Sequence, residues 1–220
     1  MTIAAAIEAL RPELRGVLNA LQLDADEAKL DQLLAYLTLL QRWNAHYNLT
    51  AVRDPAAMLV QHLADCLAVI EPLRRQRGLT PFRLLDVGSG GGLPGVVIAL
   101  LVPEADVTCV DAVGKKMAFV QQVAGELMLR NLHARHARVE QVVGETYSFI
   151  TSRAFASLRD FTSLTRSLLA EKGVWVAMKA RQPADEITKL GAKIDVFHVE
   201  PLTVPGLDAE RCLVWMRPAS

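Results

Sequence analysis

Apolar positions along this chain change period once, near residue 80. Before that point they recur at helical spacing. Ile3, Ile7, Leu10, Leu14, Val17, Leu18 and Leu21 fall on one face, and Leu30, Leu33, Leu34, Leu37 and Leu40 form a second stripe running to Trp43. Asp24 and Asp26 offer capping carboxylates between the two. A third apolar segment, from Met58 to Ile70, follows Asp54-Pro55, a favourable helix entry. From Arg83 onward short apolar runs alternate with helical patterns. Strands are predicted over 83–87, 107–110, 134–138, 148–152, 174–178, 193–199 and 211–217, with helices over 93–101, 113–129, 160–169 and 184–190. Seven strands with helices between them predict a doubly wound α/β sheet. The loop joining the last two strands carries Pro201, Pro205 and Gly206 and is too short for a crossover helix, so these strands are expected to pair antiparallel. The predicted architecture is a helical cap over 1–80 and a seven-stranded, mostly parallel sheet with one antiparallel edge strand over 81–220, forming one compact unit.

The first strand ends in the sequence Asp86-Val87-Gly88-Ser89-Gly90-Gly91-Gly92, and Leu93-Pro94 then opens a helical run. Glycines at a strand-to-helix bend let backbone approach a ligand, because no Cβ intervenes. The loop lacks the Gly-Lys-Ser/Thr ending of a P-loop. The dinucleotide pattern G-x-G-x-x-G fits only when shifted to Gly90, Gly92 and Gly95, two residues further from the strand. The pattern D-x-G-x-G-x-G fits without any shift. It is the first motif of Rossmann-like S-adenosylmethionine-dependent methyltransferases, whose cofactor has no pyrophosphate but carries an amino-acid end that Asp86 can help to position. The second strand ends at Asp111, about 20 residues after the glycines, where a carboxylate can accept bonds from both ribose hydroxyls. Asp111 can also cap the helix that follows.

Several segments together resemble one family, the bacterial small-subunit rRNA (guanine-N7) methyltransferases. They are Trp43-Asn44 with Asn48-Leu49-Thr50, His62 with Asp65, Asp86 to Gly95, Asp111 with Lys115-Lys116, Arg138-Val139-Glu140, Ser152-Arg153-Ala154, and Lys179. The resemblance spans nearly the whole chain. It implies S-adenosylmethionine as cofactor, with Gly88, Leu93, Val139, Glu140 and Arg153 among its contacts beside Asp86, Gly90 and Asp111. It also implies small-subunit rRNA, or a ribosomal particle containing it, as partner. Arg153 suits either the cofactor carboxylate or an RNA phosphate, and Val139 suits either adenine or core packing. This chain departs from the usual family pattern in having Cys66 where Ser is common, Ser148 where an acid is common, and Ala180 where Gly commonly follows the Lys.

Absences narrow the chemistry. The loop after the fourth strand, Thr151-Ser152-Arg153-Ala154-Phe155, is not the Asn/Asp-Pro-Pro-aromatic loop that serves exocyclic amines, and no cysteine sits in a Pro-Cys setting for attack on a pyrimidine carbon. Guanine N7, the acceptor that the resemblance implies, already presents a lone pair. Alignment and water exclusion then suffice, and no residue is assigned as general acid or base. Two other readings stay open on the residues alone: a small-molecule methyltransferase with the helical cap as lid, and a dinucleotide-dependent oxidoreductase using the shifted glycine register.

Composition adds limits. The 220 residues are 51% hydrophobic with 24 basic and 24 acidic side chains. No apolar run approaches the ~20 residues of a membrane helix, and without a basic n-region followed by an apolar stretch and a small-residue cleavage site export is not expected. Cys66, Cys109 and Cys212 are scattered, and His133-x-x-His136 lacks ligand partners, so a reduced cytoplasmic protein with no metal site is expected. Net charge is zero, yet eleven Lys/Arg stand against six Asp/Glu between Asp111 and Arg181. Lys115, Lys116, Arg153, Lys179 and Arg181 follow strand ends and form a candidate phosphate rim. Phe155 is placed either to stack on a flipped guanine or to pack in the core.

Overall fold

A computed structural model describes residues 2–77, 80–153, 155 and 157–219; Ala154 lies outside the described residues. Seven strands form one sheet: β1 (Phe82–Val87), β2 (Ala105–Asp111), β3 (Leu132–His136), β4 (Tyr147–Ser152), β5 (Leu169–Lys179), β6 (Ile194–Leu202) and β7 (Arg211–Pro218), in the order β3-β2-β1-β4-β5-β7-β6. The first five are parallel, and the antiparallel edge is the β6–β7 hairpin, whose reversed strand β7 lies inside, between β5 and β6. The order reverses between β1 and β4. Ligands of open α/β sheets bind outside the carboxyl ends of the strands at such a point, and the Gly88 loop and Arg153 both follow these two strands.

Alternation along the strands divides the core. Leu84, Val107, Cys109, Phe149 and Met178 face one side, where α7 (Gly95–Leu101) and α8 (Gly114–Glu126) pack together with the N-terminal helices. Leu85, Val110, Ile150 and Trp175 face the other, against Leu158 and Phe161 of α9 (Leu158–Leu164).

The N-terminal helices are α1 (Ile3–Glu8), α2 (Arg11–Ala20) and α3 (Glu27–Tyr47); α4 (Pro55–Met58), α5 (Asp65–Leu67) and α6 (Ile70–Arg77) follow. The first apolar stripe, read as one segment, is two helices. Pro12 sits at the start of α2, where its missing N–H costs nothing. Asp26 and Asp54 cap α3 and α4 through Lys29 N–H and Ala57 N–H, each at 2.8 Å. The helix from Pro55 to Gln76 corrects the sequence reading on one point: it is long and apolar enough to cross a membrane. It is, however, largely buried within the protein's own core.

Other boundaries moved for local reasons. β3 begins two residues early because the Asn131 amide donates to the Ala99 and Ala105 carbonyls and docks this strand onto β2. Arg138 then leads into a short 3-10 turn, Val139–Gln141. The predicted helix over 160–169 ends at Leu164, and Leu169 already belongs to β5. The last predicted helix is short, α10 (Ala184–Thr188).

Candidate cofactor crevice and adjoining cavity

The loop after β1 is shaped from beneath. Asp86 is fully buried, and its Oδ2 accepts the Gly95 N–H at 2.8 Å while its Oδ1 has no hydrogen-bond partner. Burial pushes this carboxyl up to about 7, against the opposing pull of the Gly95 N–H and the Arg153 charge. A Cβ on Gly95 would lie 2.4 Å from Cys109 Sγ, and one on Gly92 2.6 Å from Val96. Those two glycines are packing requirements. Gly88 and Gly90 differ: like Gly92 they have positive φ, +66° and +59°, but a Cβ on either would meet only open space. That open side is where a ligand can approach. From the cap, Tyr36 Oη donates to the Gly91 carbonyl at 2.9 Å and fixes the loop's outer turn.

Two cavities meet over Gly88. One, of about 370 Å³, is lined by Gly88, Asp111, Val139, Glu140, Phe155 and Leu164 among others. Asp111 accepts the Gly90 N–H at 3.1 Å and the Val113 N–H at 2.9 Å. It therefore both caps the helix entry and ties the loop to β2, and a carboxylate with about four acceptor sites retains capacity for ligand hydroxyls. Val139 is buried at the wall and Glu140 exposed. Phe155 packs on Phe161 with ring centroids 5.7 Å apart and faces the same cavity as Asp111, away from Lys179 and Arg211. Its ring thus stands on the wall that Asp111 and Val139 share.

The second cavity, of about 190 Å³, is lined by Gly88 to Gly91, Leu93, Leu49, Thr50, His62, Lys116 and Arg153. Lys116 lies 3.6 Å from Asp111, whereas the neighbouring Lys115 is exposed. Arg153 reaches the Gln61 carbonyl at 3.4 Å, Asp65 at 3.6 Å and Cys66 Sγ at 3.8 Å. A guanidinium has five donors, so contacts this long leave it able to bind an anion.

Helix α4 passes into α5 through a π-helical turn, Leu59–Ala64, a form that often marks functional positions. Periodicity gave no sign of this turn. It carries Gln61 and His62 to the edge of the crevice. His62 Nε2 lies 2.6 Å from Thr50 Oγ1, and its Nδ1 is buried without a partner. Burial, with the Arg153 charge, lowers the His62 pKa and so favours the neutral ring. Asn44 is structural: its amide bonds the Val52 carbonyl and the Thr50 N–H at 3.0 and 2.8 Å, while Asn48 ends α3 in the left-handed conformation. These bonds set Thr50 against His62.

Beyond His62 and Arg153 lies a third cavity, of about 250 Å³, lined also by Gln61, Asp65, Met178, Lys179, Ala180 and Arg211. Arg211 donates to Asp65 at 2.8 Å across 146 residues of sequence, and no local pattern could have announced that pair. Lys179, expected to be a phosphate contact, has its ammonium on both Glu186 oxygens at 2.8 and 3.0 Å. Arg181 is exposed and borders a separate depression with Lys179 and Glu186. His133 pairs with Asp106, and among the described residues no group of three metal-ligating side chains occurs.

A donor with an adenosine end and a charged amino-acid end fits this arrangement. Open backbone at Gly88 and Gly90, an acceptor-rich Asp111 on one side and Arg153 on the other match its parts. Comparison with known proteins agrees. The family model described as rRNA small subunit methyltransferase G matches residues 29–214. A protein of Leptothrix cholodnii named ribosomal RNA small subunit methyltransferase G is 63% identical over 202 residues, covering 92% of this chain and 93% of that one. One of the same name from Acidovorax is 58% identical over 215 residues, covering 94% and 95%. Among solved structures, magnesium protoporphyrin IX methyltransferase from Synechocystis with bound SAM superposes with a TM-score of 0.61 at 16% identity, covering 83% of this chain and 97% of that one. TrmN from Thermus thermophilus gives 0.56 at 18% identity, covering 73% and 53%. At such identities the structures speak for the fold alone.

Proposed function

The chain belongs to the rRNA small subunit methyltransferase G family, and from that premise we propose that it transfers the methyl of S-adenosylmethionine to N7 of a guanine in small-subunit (16S) rRNA. The observation that carries the reading is the pair of open, positive-φ glycines, Gly88 and Gly90, between Asp111 and Arg153 at the switch point of the sheet. The Gly88 loop and Asp111 hold the ribose, Val139 and Phe155 flank the adenine, and Leu93, Gly90 and Arg153 border the amino-acid end. Asp86 acts from below, setting the loop through Gly95.

S-adenosylmethionine, when bound, supplies an electrophilic methyl on a positively charged sulfur. The bound donor would give that methyl to the guanine N7 lone pair, its C–S electron pair returning to sulfur and the positive charge passing to the base. No proton moves in this step, so no general base is needed. The protein contributes alignment and exclusion of water. His62 is suited to this: a neutral ring beside the reacting groups adds no competing charge.

RNA approaches along the rim at the carboxyl ends of the strands, with Lys115, Lys116 and Arg181 as phosphate contacts. Each Lys that meets a phosphate contributes about one to the salt slope of binding. A double Lys115→Ala, Lys116→Ala variant should bind RNA with a shallower salt dependence. Lys179 contributes from within its Glu186 pair. The place of action is the cytoplasm, where this RNA is made.

The test is methyl transfer from labelled donor to small-subunit rRNA or its particle, followed by nucleoside digestion. Label in 7-methylguanosine is expected. Label in another nucleoside would refute the N7 assignment, and no transfer to rRNA would refute the substrate class.

A further inference from the structure

We propose that the cavity bounded by Asp65, Met178 and Arg211 receives the purine that is methylated; this rests on the RNA methyltransferase reading and adds the acceptor's place to it. Direction is the first argument. The crevice over the glycine loop opens at Gly88 toward Asp111 and at its other end toward His62 and Arg153, and these last two residues are the ones it shares with the third cavity. A donor with its ribose on Asp111 therefore presents its far end toward that cavity.

Capacity is the second. About 250 Å³ equals the liquid volume of roughly eight waters at ~30 Å³ each, sufficient for a purine ring system. Buried Met178 gives the cavity an apolar wall, and exposed Gln61 and Ala180 stand at its edge.

Charge is the third. Methyl transfer moves a positive charge from sulfur onto the base, so uncompensated cations around the acceptor would oppose the step. Here two carboxylates, Asp65 and Glu186, offset most of the charge of Arg153, Arg211 and Lys179. Asp65, 5% exposed at its side chain, lies between Arg211 at 2.8 Å and Arg153 at 3.6 Å, and Glu186 holds Lys179. Arg211 spends Nε on Asp65 and one Nη1 donor on the Glu210 carbonyl at 2.8 Å. Its remaining N–H groups are available to guanine O6 or to the nucleotide's phosphate, and in a fixed orientation. Asp65 and Arg211 thus act as acceptor-positioning residues, with Asp65 linked to the donor side only through Arg153.

Two variants test this. Ala180→Trp brings bulk into the cavity from an exposed edge position without replacing any charged residue, and Arg211→Lys keeps the charge but loses the planar fork. Both should bind S-adenosylhomocysteine in calorimetry as the unaltered protein does. For methylation of small-subunit rRNA, kcat/KM should fall about 100-fold in Ala180→Trp, the scale of a misplaced acceptor. It should fall about tenfold in Arg211→Lys, the scale of one charged hydrogen bond. Full methyl transfer by Ala180→Trp would overturn the acceptor cavity and leave the methyltransferase reading standing. Lost S-adenosylhomocysteine binding in a folded Ala180→Trp protein would also overturn it, because the cavity would then belong to the donor. Failure of the unaltered protein to methylate rRNA would remove the acceptor cavity and the broader reading together.

Discussion

Around Gly88 to Gly95 the site is built from backbone contributed by one short stretch of chain, held by the Gly95 and Gly90 N–H groups donating to the carboxylates of Asp86 and Asp111. Around Asp65 it is built from side chains that meet only after folding, with Arg211 arriving from the last strand and Arg153 from the end of β4. The first region is fixed by sterics: a methyl on Gly92 or Gly95 has no room, whereas Gly88 and Gly90 face open space. The second is fixed by charge pairing at low exposure. A backbone cradle suits a donor that never changes. A cluster of paired side chains suits an acceptor that must be picked from a large RNA.

The sharpest way to break this contrast is at Asp65. Asp65→Ala leaves two neighbouring guanidinium groups without their shared anion. Breaking a buried pair costs about 3–5 kcal/mol, and urea unfolding should show a loss of that order. A loss under ~1 kcal/mol would mean that the pairs behave as surface ion pairs and do not organise the cavity.

The glycine loop offers the next test. Gly95→Ala must displace Cys109 and Asp86, an overpacking cost of about 1–3 kcal/mol in unfolding free energy. Gly88→Ala places its methyl in open space at φ +66°, so only the left-handed backbone cost of about 1–2 kcal/mol applies. Its main expected effect is on S-adenosylhomocysteine affinity. If Gly95→Ala lost affinity but kept stability, while Gly88→Ala did the reverse, the division between packing and ligand-facing glycines would be wrong.

Asp111→Ala should weaken S-adenosylhomocysteine binding about 10- to 100-fold, the value of hydrogen bonds to a charged acceptor, while leaving the Asp65–Arg211 pair undisturbed. Unchanged calorimetric affinity would remove Asp111 from the donor site.

The smallest expected effect is on pH dependence. Asp86 is raised from 3.8 to about 7 by burial. The folded state therefore holds a proton that the unfolded state releases. The stability this confers is fully present below 3.8 and is lost as pH rises through about 7. Asp86→Asn keeps an oxygen for the Gly95 N–H and cannot titrate, so its unfolding free energy should lack that decline. Parallel pH profiles for the two proteins would contradict a buried, proton-sharing Asp86.

The same contrast explains what the sequence disclosed. The seven strands and the glycine loop were legible because period, turn residues and the spacing to Asp111 are local signals. Val139 and Glu140, and Arg153 as a donor contact, came only through family resemblance, since a single Arg or Val after a strand has no distinctive pattern; position after a strand marked Arg153 only as a phosphate contact. The π turn at Leu59–Ala64 was hidden because one extra residue in a helical turn barely disturbs an apolar stripe. The Asp65–Arg211 pair was hidden because it links α5 to β7, and the capture of Lys179 by Glu186 because it depends on how α10 folds back. Phe155 was weighed for its chemistry, whereas the turn after β4 decides which cavity it faces.

The most direct test is a crystal structure of the protein with S-adenosylhomocysteine. The ribose hydroxyls are expected on Asp111, the adenine between Val139 and Phe155, and the amino-acid end beside Gly90 and Arg153, with the cavity at Asp65 and Arg211 left for the acceptor. Adenosine seated in the Asp65–Arg211 cavity, or a ligand that avoids the Gly88 loop, would contradict the account.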